Sequence, residues 1–280
     1  MQPAGFFKII RPLNAFVAGF AVLLGYLIAA GTIVPEACIL VPIVFFATAG
    51  GNVINDYYDR EIDRINRPDR PIPSGAITPA AARAYSGALF LAAIGLSIFT
   101  NYLCMTLAVV NSLLLWAYAA RLKKVPLAGN LAVSYLAASI FLFGGARAGI
   151  DGLLQNVPLA GIVVLAMLSR ELLKDAEDVE GDAEGGARTL PVIVGVRATA
   201  AVALVAALGA VIMSYLPLMR WWGGAYLAAI TVADLVILAG ALRGFQCDTS
   251  ACIRSSSATG LLKGGMFAAL LVFIIAAVLV

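Results

Sequence analysis

The sequence predicts an all-α integral membrane protein of about nine spanning helices in one bundle, and three observations carry that expectation. Of the 280 residues, 62% are hydrophobic and only 12% are charged, against roughly 25% charged residues in an ordinary soluble domain. Mean hydropathy is +0.96, so the apolar surplus has to face lipid as well as a core. Apolar runs recur along the chain, each close to the ~20 residues that cross a bilayer as a helix. Finally, counting Lys and Arg by alternate loops puts all but Arg147 and Arg220 of the 19 cations on one side, which is the positive-inside pattern.

The runs are bounded by polar residues, Pro or Gly. They span residues 13–30, 37–57, 80–99, 102–120, 127–148, 157–173, 198–216, 222–242 and 261–280. Nine spans with short loops leave no room for a large soluble domain, so residues 1–280 read as a single membrane domain. Met1 to Arg11 lacks a cleavable-signal pattern, and the run after it is long enough to span. The cation asymmetry puts the N-terminus and the loops after the second, fourth, sixth and eighth helices in the cytoplasm, with the C-terminus outside. The expected location is the cell membrane.

Histidine is absent. That removes His acid–base chemistry and His–metal sites, and carboxylate ligands favour Mg²⁺ or Mn²⁺ over Zn²⁺. Cys38 and Cys104 lie in apolar stretches and read as small buried hydrophobes. Cys247 and Cys252 flank a short polar loop; they could pair, and they match no zinc spacing. A nucleic-acid partner is not expected.

The acids are distributed less evenly than topology requires. Of 16 Asp and Glu, only Glu36 and Asp151 fall in outer loops, while Asp234 falls inside the eighth helix. The rest crowd the cytoplasmic side, although acids contribute little to topology. One cluster ends the second helix: Asn52, Asn55, Asp56, Asp59, Glu61 and Asp63. At about 100° per residue, Asn55, Asp59 and Asp63 form one stripe. The other cluster ends the sixth helix, where Glu171, Asp175, Asp178 and Asp182 share a narrow arc over about three turns. Like charges at this spacing repel, so a helix that stacks them needs a compensating cation. Mg²⁺ bridging a ligand's phosphates serves that purpose with one or two carboxylates each. The plainer alternative is a solvated acidic helix end, and Glu61, Glu177, Glu180 and Glu184 read that way.

The clusters sit in a repeat. The first is followed by Arg70-Pro71-Ile72-Pro73-Ser74-Gly75 and an Ala-rich helix, the second by Arg188-Thr189-Leu190-Pro191 and another Ala-rich helix. Each half thus offers an acid stripe, a loop, an Arg, a Pro and a helix. Two facing halves would surround one diphosphate, and guanidinium suits this because its fork binds phosphate bidentately. The alternative for Arg70 and Arg188 is topology and lipid-headgroup contact.

These residues resemble a known family. Asn55-Asp56-Tyr57-Tyr58-Asp59-Arg60-Glu61-Ile62-Asp63 is similar to the first Asp motif of the UbiA superfamily of intramembrane prenyltransferases, and residues 66–75 resemble the loop after it. Asp175-Ala176-Glu177-Asp178-Val179-Glu180-Gly181-Asp182 resembles the second motif, and Tyr118 through Lys124 with Gly129-Asn130 resembles the loop between the fourth and fifth helices. The likeness covers nearly the whole chain and implies a UbiA-like bundle with a cytoplasmic active site. The finer match, in the Arg-Pro-Ile-Pro-Ser-Gly and Glu-Gly-Asp runs, is to the branch that adds a second geranylgeranyl chain to a prenylated glycerol phosphate in archaeal ether-lipid synthesis.

The resemblance implies Mg²⁺ held by Asn55, Asp59, Asp63, Asp178 and Asp182, with geranylgeranyl diphosphate as donor and geranylgeranylglyceryl phosphate as acceptor. Arg70, Arg188 and Lys123 would add charge to the diphosphate. Tyr118 and Tyr135 would face the allylic cation; interfacial packing is the alternative for both. Lys8, Arg11 and Arg64 would hold the acceptor's phosphate, with plain positive-inside residues the alternative for each, and Lys8, Arg11, Lys123 and Lys124 have no acid within several residues. Asn14, Arg67, Asp175 and Glu171 complete the substrate-binding candidates; Glu171 stands where quinone-forming members carry Asp. An aromatic or tetrapyrrole acceptor is the next reading. A cation or solute transporter is a reading of a different class, but transporter sites usually lie near the bilayer midplane, and these clusters run into loops.

Overall fold

A computed structural model describes residues 2–216, 221 and 223–279. Met1, the outer cation Arg220, and the predicted helix ends Trp222 and Val280 lie outside the described residues. Every regular element among them is helical. Among the described residues, eight helices are long and apolar enough to cross a membrane. The predicted sixth span is one unbroken helix, Val157–Glu177, but it is not among the eight because Arg170, Glu171, Lys174 and Asp175 charge its last two turns.

Two compact units divide the chain. The first holds the residues up to Arg121 together with Ser139–Asn156. Its elements are α1 (Pro3–Ile9), α2 (Pro12–Ala30), a 3₁₀ turn (Pro35–Ile39), α3 (Leu40–Asn66), α4 (Pro79–Ser97), α5 (Tyr102–Ala120), the end of α6 (Ala128–Arg147), and α7 (Ile150–Gln155). Its helix starts follow simple chemistry. Thr78 accepts from the Ala81 N–H with Pro79 at the first helical position, and Asn101 accepts from the Cys104 N–H, which satisfies donors that a helix start leaves unpaired.

Close backbone approach, as in membrane helix pairs, packs α2 on α6. A Cβ added at Gly144 would stand 2.5 Å from the Tyr26 nitrogen, and one at Gly25 would stand 2.6 Å from the Phe141 carbonyl oxygen. Asn156 then donates from one buried amide to the carbonyls of Gly25 and Phe141, both at 2.8 Å. Around this seam Val22, Tyr26, Leu40, Ile43 and Phe143 form one core cluster. A second cluster joins Ile9 and Ile10 to Val53, Ile72 and Ile77 beneath the charged end of α3.

The second unit holds Leu122–Ala138 and the chain from Val157 onward. It comprises a 3₁₀ turn (Leu122–Lys124), the start of α6, α8 (Val157–Glu177), α9 (Val179–Glu184), α10 (Leu190–Val194), α11 (Val196–Tyr215), α12 (Gly224–Phe245), α13 (Ser250–Ser256) and α14 (Ala258–Leu279). Leu172, Leu173, Ala203, Ala207, Ile237 and Leu262 centre its core. α12 and α14 meet through Gly240 and Gly265, where an added Cβ would stand 2.9 Å from the Ala258 carbonyl oxygen and the Ile237 nitrogen respectively.

Large apolar side chains remain outside both cores, including Leu13, Phe20, Leu91, Phe99, Val205 and Ile275. That is the surface expected of helices whose solvent is lipid. Cys104 is buried as expected, whereas Cys38 is exposed because it sits in the Pro35–Ile39 turn before α3 begins. Cys247 and Cys252, whose pairing the sequence left open, form a disulfide.

Candidate active site

In the first unit the apolar run ends at Tyr57, but α3 continues to Asn66. Asn55, Asp59 and Asp63 therefore stand on one unbroken helix. Asn55 donates to Asp59 Oδ2 at 2.9 Å. Asp63 is buried, and so is Asp56, which lies off the stripe.

The loop after α3 explains the burial. Pro71 and Pro73 fix φ, Gly75 takes φ +76°, and the turns are closed by Ser74 N–H to Arg70 O at 2.9 Å and Ile77 N–H to Pro71 O at 3.0 Å. Ile72 and Ile77 bury themselves in the core. The turn carries Arg70 back against the helix it left: its Nη1 donates to Asp63 Oδ2 at 2.6 Å and to Asp56 Oδ1 at 3.1 Å. On the other side Arg11 Nη2 donates to the same Asp56 Oδ1 at 2.5 Å. Arg11 is the left-handed residue between α1 and α2, with φ +50°.

Neither Lys8 nor Arg11 is therefore unmatched by acid. Lys8 Nζ lies 2.9 Å from the Asp69 carbonyl oxygen and 3.6 Å from its carboxylate. The absence of acids near them in sequence had no bearing on partners 45 and 61 residues away. Arg64 pairs with Glu61 at 2.7 Å, while Asn14 and Arg67 are exposed. Tyr118 is half-buried on α5.

In the second unit the four acids do not ride one straight helix. α8 ends at Glu177, Asp178 takes φ −100° ψ 7°, and α9 starts at Val179. The Asp178 N–H is shared between the carbonyls of Lys174 and Asp175, at 3.1 and 3.2 Å, so the helical period survives across the break. Asp175 accepts from Asn130 Nδ2 at 2.7 Å. Burial pushes the Asp175 carboxyl up to about 6 against that hydrogen bond, helped by the charges of Asp182 and Glu171. Asp182 is also raised, by burial first, with the Asp178 charge adding to it.

Glu171 pairs with Arg170. Asp178 and Arg188 are exposed, and Tyr135 is half-buried on α6. The Arg188 N–H donates to the Lys124 carbonyl at 3.3 Å, which ties the loop after α9 to the turn that holds Lys123. Asn130 carried no local signal in the sequence beyond its place in the Gly129-Asn130 pair. Glu177 and Glu180, read as solvated, are also engaged: Glu177 accepts from Thr259 Oγ1 at 2.7 Å, and Glu180 accepts from Arg254 at 3.1 Å and from Ser250.

Among the described residues no group of three or more Cys, Asp or Glu side chains is drawn close enough to hold a metal ion. The donors still fit a hard divalent cation. They are oxygens only, and Asp175 and Asp182 have pKa values raised partly by neighbouring carboxylates, a repulsion that a cation relieves.

The chain matches the UbiA prenyltransferase family over residues 18–271, and it belongs to that family. A relative from Methanoculleus marisnigri, a digeranylgeranylglyceryl phosphate synthase, is 59% identical over 279 residues, with 100% of each chain covered. A solved structure of a digeranylgeranylglyceryl phosphate synthase aligns at TM-score 0.87 and 35% identity over 99% of both chains. The fold is shared more distantly with a UbiA homolog from Archaeoglobus fulgidus solved with DMAPP and Mg²⁺, at TM-score 0.65 and 19% identity, covering 94% of this chain and 98% of that one.

Proposed function

We propose that the protein transfers a geranylgeranyl group from geranylgeranyl diphosphate to geranylgeranylglyceryl phosphate, forming digeranylgeranylglyceryl phosphate for archaeal ether lipids. One observation carries the reading: the likeness to a synthase of that name runs end to end at 59% identity, so it spans the segments that carry both carboxylate motifs. Mg²⁺, when bound, would neutralise the diphosphate as the allylic C–O bond breaks. Asn55, Asp59 and Asp63 from α3, and Asp178 and Asp182 around the α8–α9 break, are the ligands proposed to hold it.

Arg70 has a double part in this reading. Pinned between Asp56 and Asp63, it sets the orientation of Asp63 and keeps a positive charge beside the stripe. Lys123 and Arg188, on segments joined through the Lys124 carbonyl, supply charge to the diphosphate, and Asp175 and Glu171 line the same end of α8. Tyr118 and Tyr135 offer ring faces to the allylic cation. Lys8 on α1, Arg11 just before α2 and Arg64 near the end of α3 are the proposed cradle for the acceptor's phosphate, with Asn14 and Arg67 as further substrate-binding residues. The apolar helices take both prenyl tails and exclude water from the cation.

The reading places nine spans in the cell membrane as one domain, with both motifs at the cytoplasmic face. The deciding experiment incubates purified protein with geranylgeranyl diphosphate, Mg²⁺ and one of three acceptors: geranylgeranylglyceryl phosphate, a quinone precursor or chlorophyllide. Mass analysis should find the doubly prenylated glycerol phosphate as the main product. A preference for either other acceptor refutes the acceptor assignment and leaves prenyl transfer standing.

A further inference from the structure

The part of the second motif that carries Asp178 and Asp182 is poorly held by its own segment. α9 has six residues and none is buried, and so short a helix is marginal without packing. Gly181 precedes Asp182, and Gly185 and Gly186 follow the helix, the last at φ +68°; glycine loosens the backbone further. The acids it carries are spaced closely enough along the chain to repel one another.

α9 packs on α10 and on the end of α8, and the side-chain ties around its start come from α13 and α14. Arg254 Nη1 donates to the Glu177 carbonyl oxygen at 2.6 Å, capping the C-terminus of α8, where carbonyls lack helical partners and a cation is favoured. Its Nη2 donates to Glu180 Oε2 at 3.1 Å and to Ser250 Oγ at 3.1 Å. Ser250 donates in turn to the other Glu180 oxygen. From α14, Thr259 donates to Glu177 Oε1 at 2.7 Å.

Asp178 thus sits between two residues fastened by one guanidinium, and Asp182 lies half a turn beyond the second of them. α13 is itself stapled: Thr249 caps it by accepting from the Cys252 N–H at 3.3 Å, and the Cys247–Cys252 disulfide ties that first turn to the end of α12.

We propose that Arg254 is a positioning residue for the second carboxylate motif: it fixes the α8–α9 break so that Asp178 and Asp182 are preset for the divalent cation, and the Cys247–Cys252 disulfide holds Arg254 in place. The inference rests on the metal-dependent reading of the motif given above. A merely structural role predicts something different. The Arg254–Glu180 pair is half-exposed on both sides, and such pairs add little to stability. Loss of Arg254 should therefore leave unfolding almost unchanged while loosening the motif.

The test uses the full chain in detergent micelles with Mn²⁺ as the probe, its binding followed by electron paramagnetic resonance. Arg254→Ala should raise the half-saturating Mn²⁺ concentration about tenfold, the low end of what residues that orient metal ligands contribute. Deuterium uptake across residues 178–186 should rise, with the unfolding midpoint within about 2 °C of wild type. Arg254→Lys should recover part of the affinity. Cys247→Ser/Cys252→Ser should move in the same direction as Arg254→Ala by a smaller factor. Unchanged Mn²⁺ binding and uptake in Arg254→Ala overturns the proposal, and so does a weaker affinity that appears only together with a lowered midpoint. Failure of wild type to bind Mn²⁺ would overturn the metal reading itself, a separate outcome.

Discussion

Arg70→Ala is the perturbation whose size the structure constrains best. The Arg70 side chain is 16% exposed, and the two carboxylates it joins, on Asp56 and Asp63, are 5% and 8% exposed. Removing the guanidinium leaves both acids buried, with Arg11 still offsetting Asp56. Breaking a buried ion pair at one partner costs about 3–5 kcal/mol; with Arg11 still in place the low end applies, about 3 kcal/mol, on the order of a hundredfold in the folded-to-unfolded ratio. Arg70→Lys keeps a charge but not the planar fork, so it should lose one bond's worth, about 1.5 kcal/mol. The assay is equilibrium unfolding in mixed micelles, run in wild type and in an Asp63→Asn background. If Asp63 is the main partner, Arg70→Ala should cost about 1–2 kcal/mol less in that background. Equal costs in the two backgrounds, or a wild-type cost under about 0.5 kcal/mol, would refute the bridge.

Asp59→Ala and Asp178→Ala should each abolish measurable turnover, since losing an electrostatic group of this kind costs about 3–4 kcal/mol of transition-state stabilisation; wild-type rates in both, or full activity in EDTA, count against the motif roles. Asp175 is an acid whose folded pKa is raised from 3.8 to about 6. Its contribution to stability is therefore present below pH 3.8 and lost as pH rises through about 6. Metal-free protein should show a falling unfolding midpoint across that window, flattened in Asp175→Asn, and Asn130→Ala should move the window upward because it removes the hydrogen bond that opposes the shift. Gly144→Ala should destabilise by about 1–3 kcal/mol, because the new methyl meets the α2 backbone; a midpoint equal to wild type would show that α2 and α6 can part without cost. Single cysteines introduced beside Arg70 should react only with reagents that reach the cytoplasmic side, and labelling from outside would invert the proposed topology.

The helices were legible because lipid solvation writes itself into composition: the fourth predicted run, 102–120, matches α5 (Tyr102–Ala120) residue for residue. The ends were less so. Hydropathy stops at Tyr57, yet α3 runs on through Asn66, since charged residues spaced for one face are as helical as apolar ones. The stripe of Asn55, Asp59 and Asp63 needed only that period. The break at Asp178 was invisible for the same reason, since the period is kept across it, and only Gly181 hinted at a weak helix.

What could not be read was pairing at a distance. Asp56, off the stripe, had no role legible in the sequence because its partners are Arg11 and Arg70, and no local pattern announces a contact 45 residues away. Lys8 looked unmatched for the same reason. Glu177 and Glu180 looked solvated because α14 and α13, which hold their carboxylates, lie more than 60 residues further on.

The glycine contacts between α2 and α6, and between α12 and α14, bear on how this protein tolerates a change of surroundings. Helices held by apolar side chains alone gain little from meeting in a medium as oily as they are. Contacts in which one backbone rests on another, as Gly144 allows against Tyr26 and Gly265 against Ile237, depend on shape instead. Each unit should therefore keep its internal helix register when ether lipids are exchanged for ester lipids or a mild detergent, and purified protein should give the same intra-unit cross-links in all three.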